Sequence, residues 1–338
     1  MAFDAPAPSE PGTGYGVERD IVLNGQHEIH THESIKALTG RGVEAFRAVD
    51  RRLPADSFVA LVCSGETAPR VDAMTSLRGL SKPGLLSVLA FGPVNWPDGR
   101  QRLAVIHSAP HAGQFALTAP LKPTQVVEGL LRPMAAALHE IHARGTTHRA
   151  IRPDNLFMRA PGATILALGP CVTTPPGFGQ PEIYEPIHTA MADPAARGNG
   201  TAKDDMFALG MTAVALLLGR QPGSEYDRDT LMIRRLELGS LEAVVERPSM
   251  PREIIDALDG LTADDESERW TVASLLKWLN GGRPDQPRSY DTSHALVPYE
   301  IAGKAVRKAR SLAYMLGQHW SEGARHLRGE ELMRWLRD

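Results

Sequence analysis

Three histidines crowd one short stretch, His27, His30 and His32, and imidazoles that converge are the commonest zinc ligands. His30 and His32 share a strand face, but the spacing matches no standard ligand set, and Cys63 has no reason to join them. The sequence therefore predicts no metal. Cys63 and Cys171 read as small buried apolar side chains rather than nucleophiles. Two cysteines build no disulfide framework, which suggests a reducing compartment. Of the adjacent acids Asp204 and Asp205, the first reads as a first-turn acid favoured by a helix dipole. Lys304, Arg307, Lys308, Arg310, Arg325, Arg328, Arg334 and Arg337 make the C-terminal section basic, yet Glu322, Glu330, Glu331 and Asp338 interleave with them. That pattern is a solvated helix face rather than a nucleic-acid or lipid surface. Lys+Arg 37 against Asp+Glu 40, a net charge of -3, also lacks the basic excess of a nucleic-acid binder.

These residues need elements to hold them. At 338 residues the chain is long enough for roughly two domains of about 150 residues. Residues 1–18, rich in Pro, Gly and Ala, read as a flexible tail. The runs Asp20 to Leu23 and Gln26 to His30 flank Asn24-Gly25, a strong two-residue hairpin signal. Further strand-like runs cover Glu44 to Val49, Ser57 to Cys63, Leu85 to Phe91 and Arg102 to His107, with one helix near Ala68 to Leu80. After Pro123 the period becomes helical: Val126, Val127, Leu130, Leu131, Met134, Leu138 and Ile141 recur on one face, with Pro133 inside. Met206 to Leu218 is apolar all round, the mark of a buried helix, and too short to span a bilayer. Val272, Leu275, Leu276 and Leu279 form a last amphipathic stripe. A linker-like stretch, 283–290, precedes two helical patterns, Ile301 to Trp320 and Ser321 to Leu336. No leader pattern opens the chain, so the expected compartment is the cytoplasm.

Between the first long helix and the buried one lies His148-Arg149-Ala150-Ile151-Arg152-Pro153-Asp154-Asn155. It resembles the catalytic loop of protein kinases, H-R-D-L-x-x-x-N. Fifty residues after Asn155, Asp205-Met-Phe-Ala-Leu-Gly210 resembles the start of the kinase core helix, and Arg269 sits where kinases place an arginine before their last helix. The resemblance runs from about Ile35 to Asn280. It implies an α+β, bilobal protein-kinase-like fold: a small β-rich lobe over 19–110, a larger helical lobe over 111–282, and a helical extension over 291–338.

Carried over residue by residue, the resemblance puts Ala150 in place of the catalytic aspartate. Ala167 stands for the metal-binding aspartate of D-F-G, with Gly169 as that motif's glycine, and Val62 stands for the phosphate-pairing lysine. Of the glycine-rich loop only Gly40 falls in place, with Gly42 beside it. No glutamate occurs near Asp72 on the small-lobe helix. Asn155 keeps the identity of a metal-holding asparagine, but ties the loop in the bland reading, and Asp154 reads as solvent-facing. The structural set implied is His148, Arg149, Asp205, Gly210 and Arg269. Arg269's partner is Asp193, twelve residues before Asp205, or Glu182, with the spacing favouring Asp193. The expectation is thus a catalytically inactive pseudokinase without nucleotide, magnesium or other cofactor. It would act as a scaffold or allosteric partner, binding a protein through the helices around Trp320 and Trp335. Self-association stays open, and an atypical nucleotide-binding phosphoryl or nucleotidyl transferase is the alternative.

Overall fold

The computed structural model describes residues 21–110, 112–158, 162, 164–246, 251–288 and 293–337; the expected tail at 1–18 lies outside them. The small lobe is a six-stranded sheet built from β1 (Ile21–Leu23), β2 (His27–Ser34), β3 (Val43–Asp50), β4 (Leu53–Cys63), β5 (Val88–Asn95) and β6 (Gln101–Ser108). Its order is β1-β2-β3-β4-β6-β5, with every neighbouring pair antiparallel. Asn24 and Gly25 both take positive φ (53° and 72°), the geometry that lets a two-residue turn follow the twist of its strands. Strand alternation splits the lobe into two apolar faces. Ala60 and Val62 pack outward with Phe46 and Ile106, whereas Val59 and Leu61 pack inward with Val43 and Ala45. One helix, α1 (Val71–Leu77), lies beside the sheet and shares the large-lobe core through Met74 and Leu77.

The large lobe begins with a continuous helical run. α2 (Pro123–Val126) passes through a wide π turn, Val127–Leu131, into α3 (Arg132–Ala143). Pro133 falls at the start of α3, where its missing N–H costs little and the wide turn before it absorbs the misfit. β7 (Leu156–Met158) and β8 (Leu166–Leu168) make a small ribbon, and α4 (Ile187–Ala190) follows. Then comes α5 (Ala202–Leu218), buried from Asp204 to Leu217, as its unbroken apolar sequence predicts. Thr201 caps it, its hydroxyl accepting the Asp204 N–H while Asp204 accepts the Thr201 N–H. Gly210 lets α5 touch α7 (Arg252–Thr262), since a Cβ there would lie 2.7 Å from both Leu261 Cβ and Thr262 Cγ2. α6 (Arg228–Leu238) and α8 (Val272–Leu279) complete the lobe.

The C-terminal section differs from the two helices expected over Ile301 to Trp320 and Ser321 to Leu336. It opens with a hairpin, β9 (Tyr299–Ile301) and β10 (Lys304–Val306), because Ala302 and Gly303 turn the chain at positive φ. Three short helices follow, α9 (Ala309–Gln318), α10 (Trp320–His326) and α11 (Glu330–Trp335), broken at His319 and at Gly329. The section docks on the large lobe: Ile301, Val306, Leu312 and Met315 form one core with Met232, Ile233 and Leu236 of α6. Trp335 packs its ring on Tyr299 and donates Nε1–H to the Val297 carbonyl, while Trp320 is 70% exposed. Among the described residues no helix is long and apolar enough to cross a membrane.

Candidate site in the cleft between the lobes

The loop from Thr147 to Asn155 hangs on one carboxylate. Asp205, fully buried at the start of α5, accepts the N–H of His148 on Oδ2 and that of Arg149 on Oδ1, each at 2.7 Å, and meets His142 Nε2 at 3.0 Å. Burial pushes its carboxyl upward, but the bonds from His142 and His148 outweigh this and hold it below the usual range. The two N–H bonds stabilise an unusual backbone, for Arg149 is a non-glycine residue at φ 58°. Ala150 N–H donates to His148 Nδ1, which makes Nε2 the protonated nitrogen that donates to the Gly169 carbonyl at 3.2 Å. Burial pushes His148 down to about 4, so the ring is neutral.

Two buried arginines anchor the surrounding segment. Arg149 meets Glu185 at 2.9 Å with both side chains fully enclosed, and Asp204 lies 3.8 Å from its other nitrogen. Arg269 meets Asp204 at 3.6 Å, donates to the Ala263 carbonyl and covers the Phe207 ring. Neither expected partner of Arg269 is therefore the partner. Asp193 is exposed and caps the short turn Pro194–Ala196, and Glu182 pairs with Arg228 at 2.8 Å. Spacing along an irregular segment could not show that Asp204, a residue read as a mere helix-start acid, reaches inward instead.

Register moves two of the expected positions. In the ribbon, Phe157 pairs with Ala167 and Leu156 with Leu168, so Ala167 belongs to an apolar floor with Phe157 and Leu86. The residue facing Asn155 is Gly169, where a Cβ would fall 2.1 Å from Asn155 Oδ1. Asn155 Nδ2 donates to the carbonyls of Ala150 and Pro170, so its amide ties the loop. Val62 points to the outer core and cannot face the cleft; Leu61 lines it, and Cys63 Sγ lies 3.8 Å from the Thr173 carbonyl. Burial pushes the Cys63 thiol up to about 11 and the Cys171 thiol up to about 12, leaving both unreactive. Gly42 takes φ 77° against Thr67, and Gly40 closes the turn by exchanging backbone bonds with Val43.

What fills the cleft was only partly foreseen. Leu38, in the loop between β2 and β3, packs on both the Val43–Leu61 roof and the Phe157–Ala167 floor. Beyond it a cleft of about 460 Å³ is lined by Lys36, Arg41, Arg152, Asp154, Asn155 and Gln114. Arg152 Nε meets Asp154 Oδ1 at 2.8 Å, and Gln114 donates to the Asp154 carbonyl, which fixes that carboxylate at the rim. Asp154 is thus exposed but part of the site. Arg70, at the start of α1, was missed altogether. Its guanidinium donates to the carbonyls of Thr147, His148 and Cys171, joining the small lobe to the loop where a glutamate had been sought near Asp72. No periodicity or motif marks such a loop arginine; the one signal available was Arg152, a cation inside the motif itself.

No protein-family model matches the chain. The chain is 23% identical over 161 residues to serine/threonine-protein kinase PrkC of Bacillus subtilis, a match that covers 47% of this chain and 25% of that protein. It is 34% identical over 119 residues to serine/threonine-protein kinase C of Synechocystis, covering 32% of this chain and 21% of the relative. Among solved structures it is similar to Rad53 1–466 in complex with AMP-PNP, with a TM-score of 0.58 and 19% identity over 75% of this chain and 64% of that one. The chain thus spans a quarter of PrkC and about a fifth of the Synechocystis kinase. These relatives are kinases by name, and this overturns the expectation of a non-enzymatic scaffold: what the chain resembles is a set of phosphoryl-transfer enzymes. Small β lobe, helical lobe and the Asp205-held loop between them give the chain a protein-kinase-like fold.

Proposed function

We propose that the chain is a signalling phosphotransferase domain of the serine/threonine-kinase kind, holding the phosphates of a nucleoside triphosphate in the inter-lobe cleft. The observation that carries this reading is the set of cations, Lys36, Arg41 and Arg152, lining one cleft together with the carboxylate of Asp154. Phosphoryl transfer depends mainly on positioning and on neutralising phosphate charge. Here side-chain cations, rather than a metal on Asn155, supply the neutralisation. Asp154 is the carboxylate beside them and the group that accepts the acceptor hydroxyl's proton. Trp320, the exposed one of the two tail tryptophans, offers a surface to a protein partner. We place the domain in the cytoplasm, consistent with two buried free thiols.

ATP at 100 times its Kd is expected to raise the unfolding free energy by about 2.7 kcal/mol, and the gain should persist in EDTA. Arg152→Ala removes a charge-assisted contact of about 1.5–3 kcal/mol and so weakens ATP roughly 10- to 100-fold. With γ-labelled ATP and a serine-rich protein acceptor, Asp154→Asn should slow labelling by about 10²- to 10⁴-fold. A denaturation curve that ATP leaves unmoved overturns the reading. Leu38→Ala gives a separate check, because Leu38 occupies apolar space between roof and floor. Opening that slot to the purine is expected to tighten ATP binding about tenfold, or 1.4 kcal/mol, in the same titration.

A further inference from the structure

On the small lobe, just before the loop that carries the cleft cations Lys36 and Arg41, β2 breaks its pairing with β3. His30 pairs with Arg47 and the next pair is Ser34 with Phe46, so four steps along β2 match one along β3. In a regular strand Glu33 would face away from His30 and His32. The bulge turns it back. Glu33 Oε1 lies 3.7 Å from His30 Nδ1 and 3.5 Å from His32 Nε2, and one donor atom from each of the three residues fits within 4.8 Å of the others. Ligands about 2.0–2.1 Å from a tetrahedral ion are separated by about 3.4 Å, close to the two distances found.

We propose that His30, His32 and Glu33 form a three-ligand site for a divalent transition ion of the zinc class. Two imidazoles and a carboxylate suit zinc better than calcium or magnesium, which prefer all-oxygen sets, and a fourth position stays open to water. Arg47 supports the site rather than blocking it. Its Nη1 lies 3.1 Å from Glu33 Oε2, the oxygen turned from the imidazoles, and 3.5 Å from Oε1. An ion takes Oε1 while Arg47 keeps Oε2, the usual arrangement of an outer partner that orients a ligand. β2 continues directly into the loop bearing Lys36 and Arg41, so an ion on the bulge fixes where that loop begins.

The test is calorimetric titration of the chelator-treated full chain with zinc chloride at neutral pH. One zinc per chain is expected, lost in His30→Ala/His32→Ala and in Glu33→Gln, the latter retaining an oxygen for Arg47. Arg47→Ala should weaken binding 10- to 100-fold. His139→Ala, on the exposed face of α3, should leave it unchanged. Failure of the unaltered chain to bind one zinc, or binding by the double variant or by Glu33→Gln as tight as that of the unaltered chain, overturns the proposal.

Discussion

Replacing Asp205 by alanine is expected to remove about 3 kcal/mol of stability, a substantial part of the 5–15 kcal/mol that a folded domain commands. The change leaves the N–H groups of His148 and Arg149 buried without an acceptor, at about 1–3 kcal/mol each. It also lets Arg149 relax from φ 58°, a conformation that costs about 1–3 kcal/mol for a non-glycine residue, and that relief offsets part of the loss. Asp205→Asn separates the two parts of this argument. Asparagine keeps one acceptor oxygen but turns a donor toward the second N–H, so about half of the loss should remain. Were the carboxylate merely a buried charge, asparagine would be neutral or stabilising, since removing an uncompensated charge relieves desolvation. Guanidinium unfolding of both variants at neutral pH decides the matter. An alanine variant within about 1 kcal/mol of the parent would remove Asp205 from its role as the loop's anchor.

Asp205, His148 and Arg149 were legible through the resemblance to the kinase catalytic loop and core helix, since the carboxylate lies 57 and 56 residues from the N–H groups it accepts. Asn24-Gly25 was legible from local turn chemistry alone. Side-chain facing was harder, because one residue of slip reverses a strand. Val62 was placed in the cleft, yet in the eleven-residue β4 the residues that face inward are Val59 and Leu61. The two-residue displacement from Ala167 to Gly169 depends on pairing with β7, which composition does not encode. Arg70, Lys36 and Arg41 come from loops and caps without periodicity, so only the folded chain brings Lys36 and Arg41 to the cleft and Arg70 to the loop behind it. Asp204 shows the limit of spacing: the helix-start role was right, and its reach toward Arg149 and Arg269 was not visible. Glu33 was hidden by the bulge that turns it toward two histidines already noticed.

Acidification from pH 7 to 5 is expected to destabilise the chain steeply, and two enclosed imidazoles are the cause. Burial pushes both His107 and His148 down to about 4, from an ordinary value of 6.5. His107 Nδ1 meets the Leu86 carbonyl; His148 faces Asp205, Arg70 and Arg152 as well as the Gly169 carbonyl. Between pH 6.5 and 4 the unfolded chain holds a proton on each ring that the folded chain refuses. More protons bound in the unfolded state means stability that rises with pH and is lost as pH falls. Two such protons give a slope approaching 2.7 kcal/mol per pH unit, hence about 4 kcal/mol lost at pH 5. Glu185 and Asp264 work the other way, because burial raises their carboxyls and the folded state takes those protons first. The rings can still be isolated from that opposing effect. His107→Gln keeps a donor for the Leu86 carbonyl and removes one titration, so the slope between pH 6.5 and 5 should fall by about half. Denaturant midpoints at pH 7, 6 and 5 for both proteins measure it, and a slope that His107→Gln leaves unaltered would refute the assignment.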